Sequence, residues 1–257
     1  MSSQTVFEGV GVALITLFDE SGGLDAAGTA DHAARLVELG VKAVVVAGST
    51  GEAAALSLRE RAELIRSVRA RMAPGGPKLI AGTGAPSSRQ AAEYTRSAVD
   101  EGADGVLTLS PPGAEDPRPY YETVSRAAAG LPLLAYHWPA MALPGIPVPV
   151  LADLPIAGCK DSSGDADRLL ETLTSWEGSL YVGSSALLAY AGPLGCTGAI
   201  LALANADPQG CAAAFAGDFE AQLKLAADHR RSVAGFPRGI KHLTAERFGT
   251  PITSRLG

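Results

Sequence analysis

The lysine in "AGCKDSSGD" (157–165) closes a short apolar run and is followed at once by small polar residues. In an extended segment Ile156, Gly158 and Lys160 share one face. A lysine amine held among apolar groups resists protonation, so its pKa falls. A neutral amine attacks a ketone and gives a Schiff base, and Gly158 on the same face leaves room for a ligand. The same residues equally suit an exposed strand end whose ammonium reaches solvent, so this stretch does not decide by itself.

Two further groups bear on it. Tyr136 in "AYHWP" shares a strand face with Leu134 and Trp138. A phenol near an imine can move protons to and from a substrate, although a core tyrosine fits the same pattern. The loop "GSTGE" (48–52) offers the Ser49 and Thr50 hydroxyls and free backbone N–H groups. Gly48 permits close backbone approach, so the loop can hold a carboxylate without a full positive charge. It also reads as an ordinary tight turn, in which Glu52 braces the loop. "GSS" (183–185) adds Gly183 and Ser184 as substrate-contact candidates. The four histidines, His32, His137, His229 and His242, lack ligand spacing, so no metal site is expected.

Something must bring these separated segments together. Short apolar runs, bounded by Gly or Pro, fall at 10–18, 42–48, 78–84, 105–110, 132–138, 155–160, 179–185 and 198–205. Such runs suit parallel strands buried on both faces. Helical patterns alternate with them. Ser57 and Glu60 form a capping box before an expected inward face of Leu58, Ala62, Ile65, Val68 and Met72. Ser87 and Gln90 repeat the box before Ala91, Tyr94, Thr95 and Ala98, and Gly102 stops that helix. A helical region closes the chain from about Pro208 to Phe248. Eight strands alternating with helices predict an α/β (β/α)8 TIM barrel with extra C-terminal helices. Residues 1–205 make the barrel, and 206–257 a helical extension of the same domain. An open doubly wound sheet is disfavoured, because the first strand leads into "TLFDESGG" without GxGxxG or a P-loop. In a barrel, reactive groups gather where strands end, and "GSTGE", Tyr136, Lys160 and "GSS" all stand there.

Composition removes other classes. With 21 basic and 27 acidic residues the net charge is −6, and no basic cluster suggests nucleic acid or an anionic membrane. Three unpaired cysteines, Cys159, Cys196 and Cys211, read as reduced thiols of a cytoplasmic protein. Neither a signal peptide nor a membrane-spanning run is expected.

Taken in order, "GSTGE", "IAGTG", "YHWP" and "GCKDSSGD" resemble the dihydrodipicolinate synthase / N-acetylneuraminate lyase family of class I (Schiff-base) aldolases. The similarity runs from "GVALITLF" to "GIKHLTAERFG". Each motif alone is weak, and their order on successive strands makes the set specific. The resemblance implies that Lys160 forms an imine with the C2 ketone of a pyruvate-like substrate. Tyr136 would relay protons, Ser49 and Thr50 would hold the carboxylate, and Ile200 would line the pocket through its backbone. The covalent imine on Lys160 would replace any cofactor. The partners implied are a small 2-keto acid and further copies of the chain, as a dimer or tetramer.

Departures from the family narrow the activity. The synthases carry a relay tyrosine where Gly113 falls, and a carboxylate-binding arginine where Met141 stands. A methionine supplies no bidentate fork. The sialic acid lyases place acidic residues near Ser184 and Ala186, and a serine at Leu201, to bind a polyol. "GCKDSSGD", "YHWPA" and "VGSSALLAYAGPLGCTGAILALAN" are closest to the 4-hydroxy-2-oxoglutarate / 2-keto-3-deoxy acid aldolases. The resulting expectation is reversible cleavage of a small 2-keto-4-hydroxy acid to pyruvate plus an aldehyde or glyoxylate. A 2-keto-3-deoxy sugar acid dehydratase, a 4-hydroxy-tetrahydrodipicolinate synthase and a non-catalytic keto-acid-binding barrel are the alternatives. Ser162 is a candidate to stand in for the missing tyrosine.

Overall fold

The valine- and alanine-rich runs form strands because each is walled in on both sides, where branched side chains pack well on a pleated surface. The computed structural model describes residues 5–256. Its strands are β1 (Gly9–Ala13), β2 (Ala43–Val46), β3 (Lys78–Gly82), β4 (Gly105–Leu109), β5 (Leu133–His137), β6 (Gly158–Asp161), β7 (Ser179–Val182) and β8 (Gly198–Leu201). They pair in parallel, in chain order, and β8 closes on β1. The expected (β/α)8 barrel is what the chain forms.

All eight strands stand where the apolar runs place them, but they are shorter. The first run predicts a strand as far as Phe18, whereas β1 ends at Ala13. Leu14 to Phe18 remain buried, yet after the Leu14 N–H, which still donates to Val45 O at 2.9 Å, they leave the ladder. Ile15 N–H instead donates to Asn205 Oδ1 at 3.0 Å, and Asn205 Nδ2 donates to Ala13 O at 2.7 Å. Hydrophobic runs report burial, and burial continues past the last paired residue.

Inside the barrel, alternate strand residues form one cluster that includes Val45, Ile80, Leu107, Leu134, Tyr136, Tyr181 and Ile200. Phe7 plugs the N-terminal end. Its ring lies 4.7 Å from that of Tyr181, whose hydroxyl donates to Phe7 O at 2.9 Å. This large layer at one end leaves the C-terminal ends of the strands as the mouth.

The helices are α1 (Ala26–Glu38), α2 (Leu58–Arg71), α3 (Ser88–Asp100), α4 (Arg118–Ala127), α5 (Ala166–Ser175), α6 (Leu188–Ala191), α7 (Pro208–Phe215), α8 (Phe219–Val233) and α9 (Arg238–Phe248). The proline-rich stretch after β5 holds a 3₁₀ helix (Val148–Asp153) in place of an α-helix. The predicted capping box of Ser57 and Glu60 is complete. Ser87 accepts from Gln90 N–H, but the box is incomplete: the Gln90 side chain donates to the Tyr94 hydroxyl instead of accepting the Ser87 N–H.

The inward face of α2 differs from its expected one. Arg61, Leu64, Ile65 and Val68 are buried within the helix, while Leu58 and Ala62 are half-buried. The cause is Arg61, which reaches inward to backbone carbonyls and pulls the buried stripe toward itself. Among the described residues, no helix is long and apolar enough to cross a membrane. Cys159, Cys196 and Cys211 are buried and unpaired.

Candidate active site

Strand register places the two central groups side by side. Tyr136 on β5 pairs with Lys160 on β6, and Lys160 pairs in turn with Tyr181 on β7. Side chains on adjacent strands at matched positions point the same way, so Tyr136 and Lys160 both face the barrel interior. Lys160 Nζ lies 4.1 Å from the centroid of the Tyr136 ring. Only 4% of Lys160 is exposed.

Burial sets the protonation of both. It pushes the Lys160 amine down to about 7 from its ordinary 10.5. The ring face of Tyr136 favours an ammonium, but that attraction is smaller than the loss of hydration. Burial also drives the Tyr136 phenol well above its usual value, while hydrogen bonds with Ser162 and Ser49 draw it partly back. Near neutral pH the site therefore holds a half-neutral amine next to a fully protonated phenol. Ser162, the candidate stand-in for the relay tyrosine, sits in hydrogen-bond contact with that phenol.

One observable consequence is a pH profile. An unshifted lysine would be neutral in only about 3 of 10⁴ molecules at pH 7, against about half for one with a pKa near 7. The neutral amine is the reactive form, so its reaction with pyruvate should rise with pH up to about 7 and flatten above it. Trapping by cyanoborohydride across pH 5.5–9 measures this. A rise continuing unchanged past pH 9 would mean that burial does not shift the amine.

At the same end of the barrel, the loop after β2 is drawn tight. Ala47 adopts a left-handed conformation with φ of 51°, and Glu52 does the same at 56°. Gly82 on β3 accommodates the first bend, because a Cβ there would fall 2.2 Å from Ala47 O. Thr16 Oγ1 donates to Gly51 O at 2.7 Å, and Arg61 Nη1 donates to Gly82 O at 3.1 Å. A cavity of about 360 Å³ opens over this loop. Gly48, Ser49, Leu107, Leu109, Tyr136 and Met141 are among its lining.

The predicted residues are thus distributed unevenly. Gly48, Ser49 and Tyr136 line the cavity, and Lys160 lies beneath the Tyr136 ring. Thr50 is buried in the loop, and the Ile200 side chain is buried inside the barrel. Gly183 and Ser184 follow β7, on the other side of Lys160 from Tyr136, and stand outside the cavity lining. A Cβ on Gly183 would fall 1.9 Å from Ser162 Oγ, so this glycine makes room for the hydroxyl that meets Tyr136. Above Gly48 the space is open, with Val45 Cγ1 the nearest atom at 3.8 Å.

The two glycines should therefore respond differently to alanine. Gly183→Ala should cost about 1–3 kcal/mol of stability in denaturant titration through overpacking. Gly48→Ala should leave stability unchanged or raise it by up to about 1 kcal/mol, while weakening the binding of any carboxylate that approaches the backbone. Equal losses of stability in both variants would contradict this assignment.

After β4 the tyrosines serve packing. Tyr121 donates to Thr108 O at 2.9 Å, and Tyr120 bonds both the N–H and C=O of Ala85. Gly113, where the resemblance would lead one to expect a relay tyrosine, donates its N–H to Leu143 O at 2.7 Å. His137 points away from the barrel axis and accepts from Ile146 N–H at 2.8 Å through Nδ1. Burial, followed by the Arg168 charge, lowers its pKa to about 4, so it anchors the Met141 loop as a neutral ring.

Arg61 escapes a sequence reading, which places it on the polar side of α2. It is 5% exposed, lines the cavity, stacks 4.2 Å over Tyr94 and bonds three carbonyls. Hydrophobic periodicity carries no signal for a buried guanidinium. Among the described residues no three His, Cys, Asp or Glu side chains gather as a metal-ligand set.

Residues 6–252 match the dihydrodipicolinate synthetase family. The chain belongs to that family. Members of the dihydrodipicolinate synthetase family are pyruvate-dependent class I lyases, and the chain is a carbon–carbon lyase of this kind. It is 35% identical over 227 residues to a 4-hydroxy-tetrahydrodipicolinate synthase of Thioalkalivibrio sulfidiphilus, covering 83% of this chain and 76% of that one. It is also 35% identical over 211 residues to an uncharacterized DapA-like lyase of Halobacterium salinarum, covering 78% and 68%. Among solved structures, the dihydrodipicolinate synthase of Cyanidioschyzon merolae with lysine bound superposes with a TM-score of 0.90 at 26% identity, covering 98% of this chain and 92% of that one.

Proposed function

We propose that this lyase reversibly cleaves a small 2-keto-4-hydroxy acid, such as 4-hydroxy-2-oxoglutarate or a 2-keto-3-deoxy acid, to pyruvate and an aldehyde or glyoxylate. The observation that carries the reading is the buried Lys160 amine, with a pKa of about 7, against Tyr136. The neutral amine adds to C2 of the substrate, and the carbinolamine loses water with a proton from the Tyr136 phenol. The iminium then serves as the electron sink. As the C4 hydroxyl gives up its proton through the Tyr136 phenol and the Ser49 or Ser162 hydroxyl, the C3–C4 bond breaks and the aldehyde leaves. The bonding pair becomes an enamine. Protonation at C3 and hydrolysis return pyruvate and the free amine. Ser49 and Thr50 hold the substrate carboxylate, with Gly48 allowing its approach. Gly183 and Ser184 support the β6 side, and Ile200 forms the floor. No cofactor takes part in this scheme. The working form is a cytoplasmic homo-oligomer, a dimer or tetramer, with neither nucleic acid nor membrane as partner.

A second reading, synthesis of 4-hydroxy-tetrahydrodipicolinate, is supported by relatives that carry that name. Met141 in the cavity lining weighs against it, because the second substrate there is a carboxylate-bearing aldehyde and methionine offers that group no donor. A 2-keto-3-deoxy sugar acid dehydratase would use the same imine with a different leaving group, and a binding protein would hold the keto acid without turnover. The deciding assay offers a panel of 2-keto-4-hydroxy acids and follows pyruvate release. Pyruvate from at least one of them supports the aldolase. A dehydrated keto acid of unbroken chain would replace it with the dehydratase, and condensation of pyruvate with a carboxylate-bearing aldehyde alone would replace it with the synthase. No product from any of them would leave the binding protein.

A further inference from the structure

Glu52 comes two residues after Thr50 and is fully buried, as a charged side chain rarely is. Its Oε1 pairs with Lys241 Nζ on α9, and neither side chain has any exposure. Its Oε2 accepts the backbone N–H of Arg255 at 2.8 Å and of Leu256 at 2.7 Å, with the Ser254 hydroxyl at 2.9 Å. Burial alone would raise the carboxyl, but Lys241 and the Leu256 N–H outweigh it and hold Glu52 below its ordinary value. The Lys241 amine also donates to Thr253 O at 2.6 Å.

Arg255 fastens the same segment to the chain on both sides of the loop. Nε donates to Gly22 O at 2.7 Å, Nη1 to Ala55 O at 3.0 Å, and Nη2 pairs with Glu60 Oε1 at 2.7 Å. The guanidinium lies 4.3 Å from the centroid of the Phe18 ring, over which Lys241 Nζ also sits at 4.5 Å. Leu256 reaches the cavity wall.

A buried ion pair is a weak source of stability, because dehydrating both charges offsets most of their attraction. What it supplies is geometry. Backbone N–H groups that receive a carboxylate act best when already fixed. The Ser49–Thr50 loop is flanked by two left-handed non-glycine residues, Ala47 and Glu52, and it needs an outside force to keep that shape. We propose that residues 253–256 form a strap over the loops that follow β1 and β2, and that it holds the Ser49–Thr50 loop in its carboxylate-binding shape. Glu52, Lys241 and Arg255 are its positioning residues. The catalytic consequence rests on the reading given under Proposed function. The geometric one does not.

Two variants separate positioning from stability. Arg255→Ala releases the strap, and Glu52→Gln with Lys241→Met removes the pair without leaving a buried charge unpartnered. Each should fold and should still trap pyruvate on Lys160 to the wild-type plateau. The pyruvate concentration for half-maximal trapping should rise by about 10-fold or more. Arg255→Lys should restore part of the loss. Amide hydrogen exchange in residues 48–54 should accelerate in both variants, while exchange in β5 and β6 stays unchanged. Wild-type exchange at 48–54, or a lower melting temperature with unchanged half-saturation, would overturn the strap. If the wild type traps no pyruvate, the catalytic reading fails, and the exchange measurement still decides whether the strap holds the loop.

Discussion

Replacing Lys160 with alanine should abolish turnover, by more than about 1,000-fold, and should eliminate covalent capture of pyruvate. The size of the effect follows from the role. The amine forms the bond that turns a ketone into an electron sink. Among the described residues the one other buried lysine, Lys241, is tied into the Glu52 pair and faces Phe18, so it cannot take over. The variant should fold, because the wild type already buries an amine without a counter-charge at a cost that alanine removes. The lowered pKa gives the sign: from its ordinary 10.5 down to about 7, Lys160 increasingly opposes folding as pH falls, and below about 7 the opposition is at its full size. Lys160→Ala should therefore gain on the wild type in denaturant midpoint at pH 7 and lose that advantage as pH approaches 10.5. The cavity left by the side chain subtracts from the gain at every pH. Turnover retained within about 10-fold would remove Lys160 from the chemistry.

Replacing Tyr136 with phenylalanine should lower kcat by about 100- to 1,000-fold, the usual range for a lost general acid or base. Pyruvate capture at equilibrium should change little, because the ring and its stacking on Trp138, 6.0 Å away, are kept. The hydroxyl joins Ser49, on the carboxylate loop, to Ser162, beside the lysine. Removing it interrupts the proton route and leaves the walls intact. A fall in capture equal to the fall in turnover would mean that the phenol binds substrate instead of relaying protons. Full turnover would mean that a serine or water carries the protons.

Much of this architecture is legible in the amino-acid sequence. The eight strands can be read because parallel barrel strands are continuous apolar runs between Gly and Pro, and their ends give the mouth. Lys160 and Tyr136 can be placed side by side because consecutive barrel strands are neighbours. Ser162 is foreseeable because it follows the lysine by two residues. Other features are hidden for a physical reason. Arg61, Lys241 and Arg255 look like surface charges in any one-dimensional reading, since polarity in sequence predicts exposure. Lys241 is buried and Arg255 half-buried because they meet Glu52 and its neighbours, which lie near the opposite end of the chain. Gly183 reads as a substrate contact, and the closeness of Ser162 Oγ, 1.9 Å from where its Cβ would stand, has no signal in sequence. The end of β1 is overestimated because Leu14 to Phe18 are at least as apolar as the strand they follow.

The most direct measurement is to incubate the protein with pyruvate and borohydride, digest it, and locate the added mass by peptide mass spectrometry. One reduced pyruvate per chain is expected, on the peptide that contains Lys160. Modification elsewhere, or none at saturating pyruvate, would contradict this and leave Lys160 as an unreactive lysine in a barrel wall.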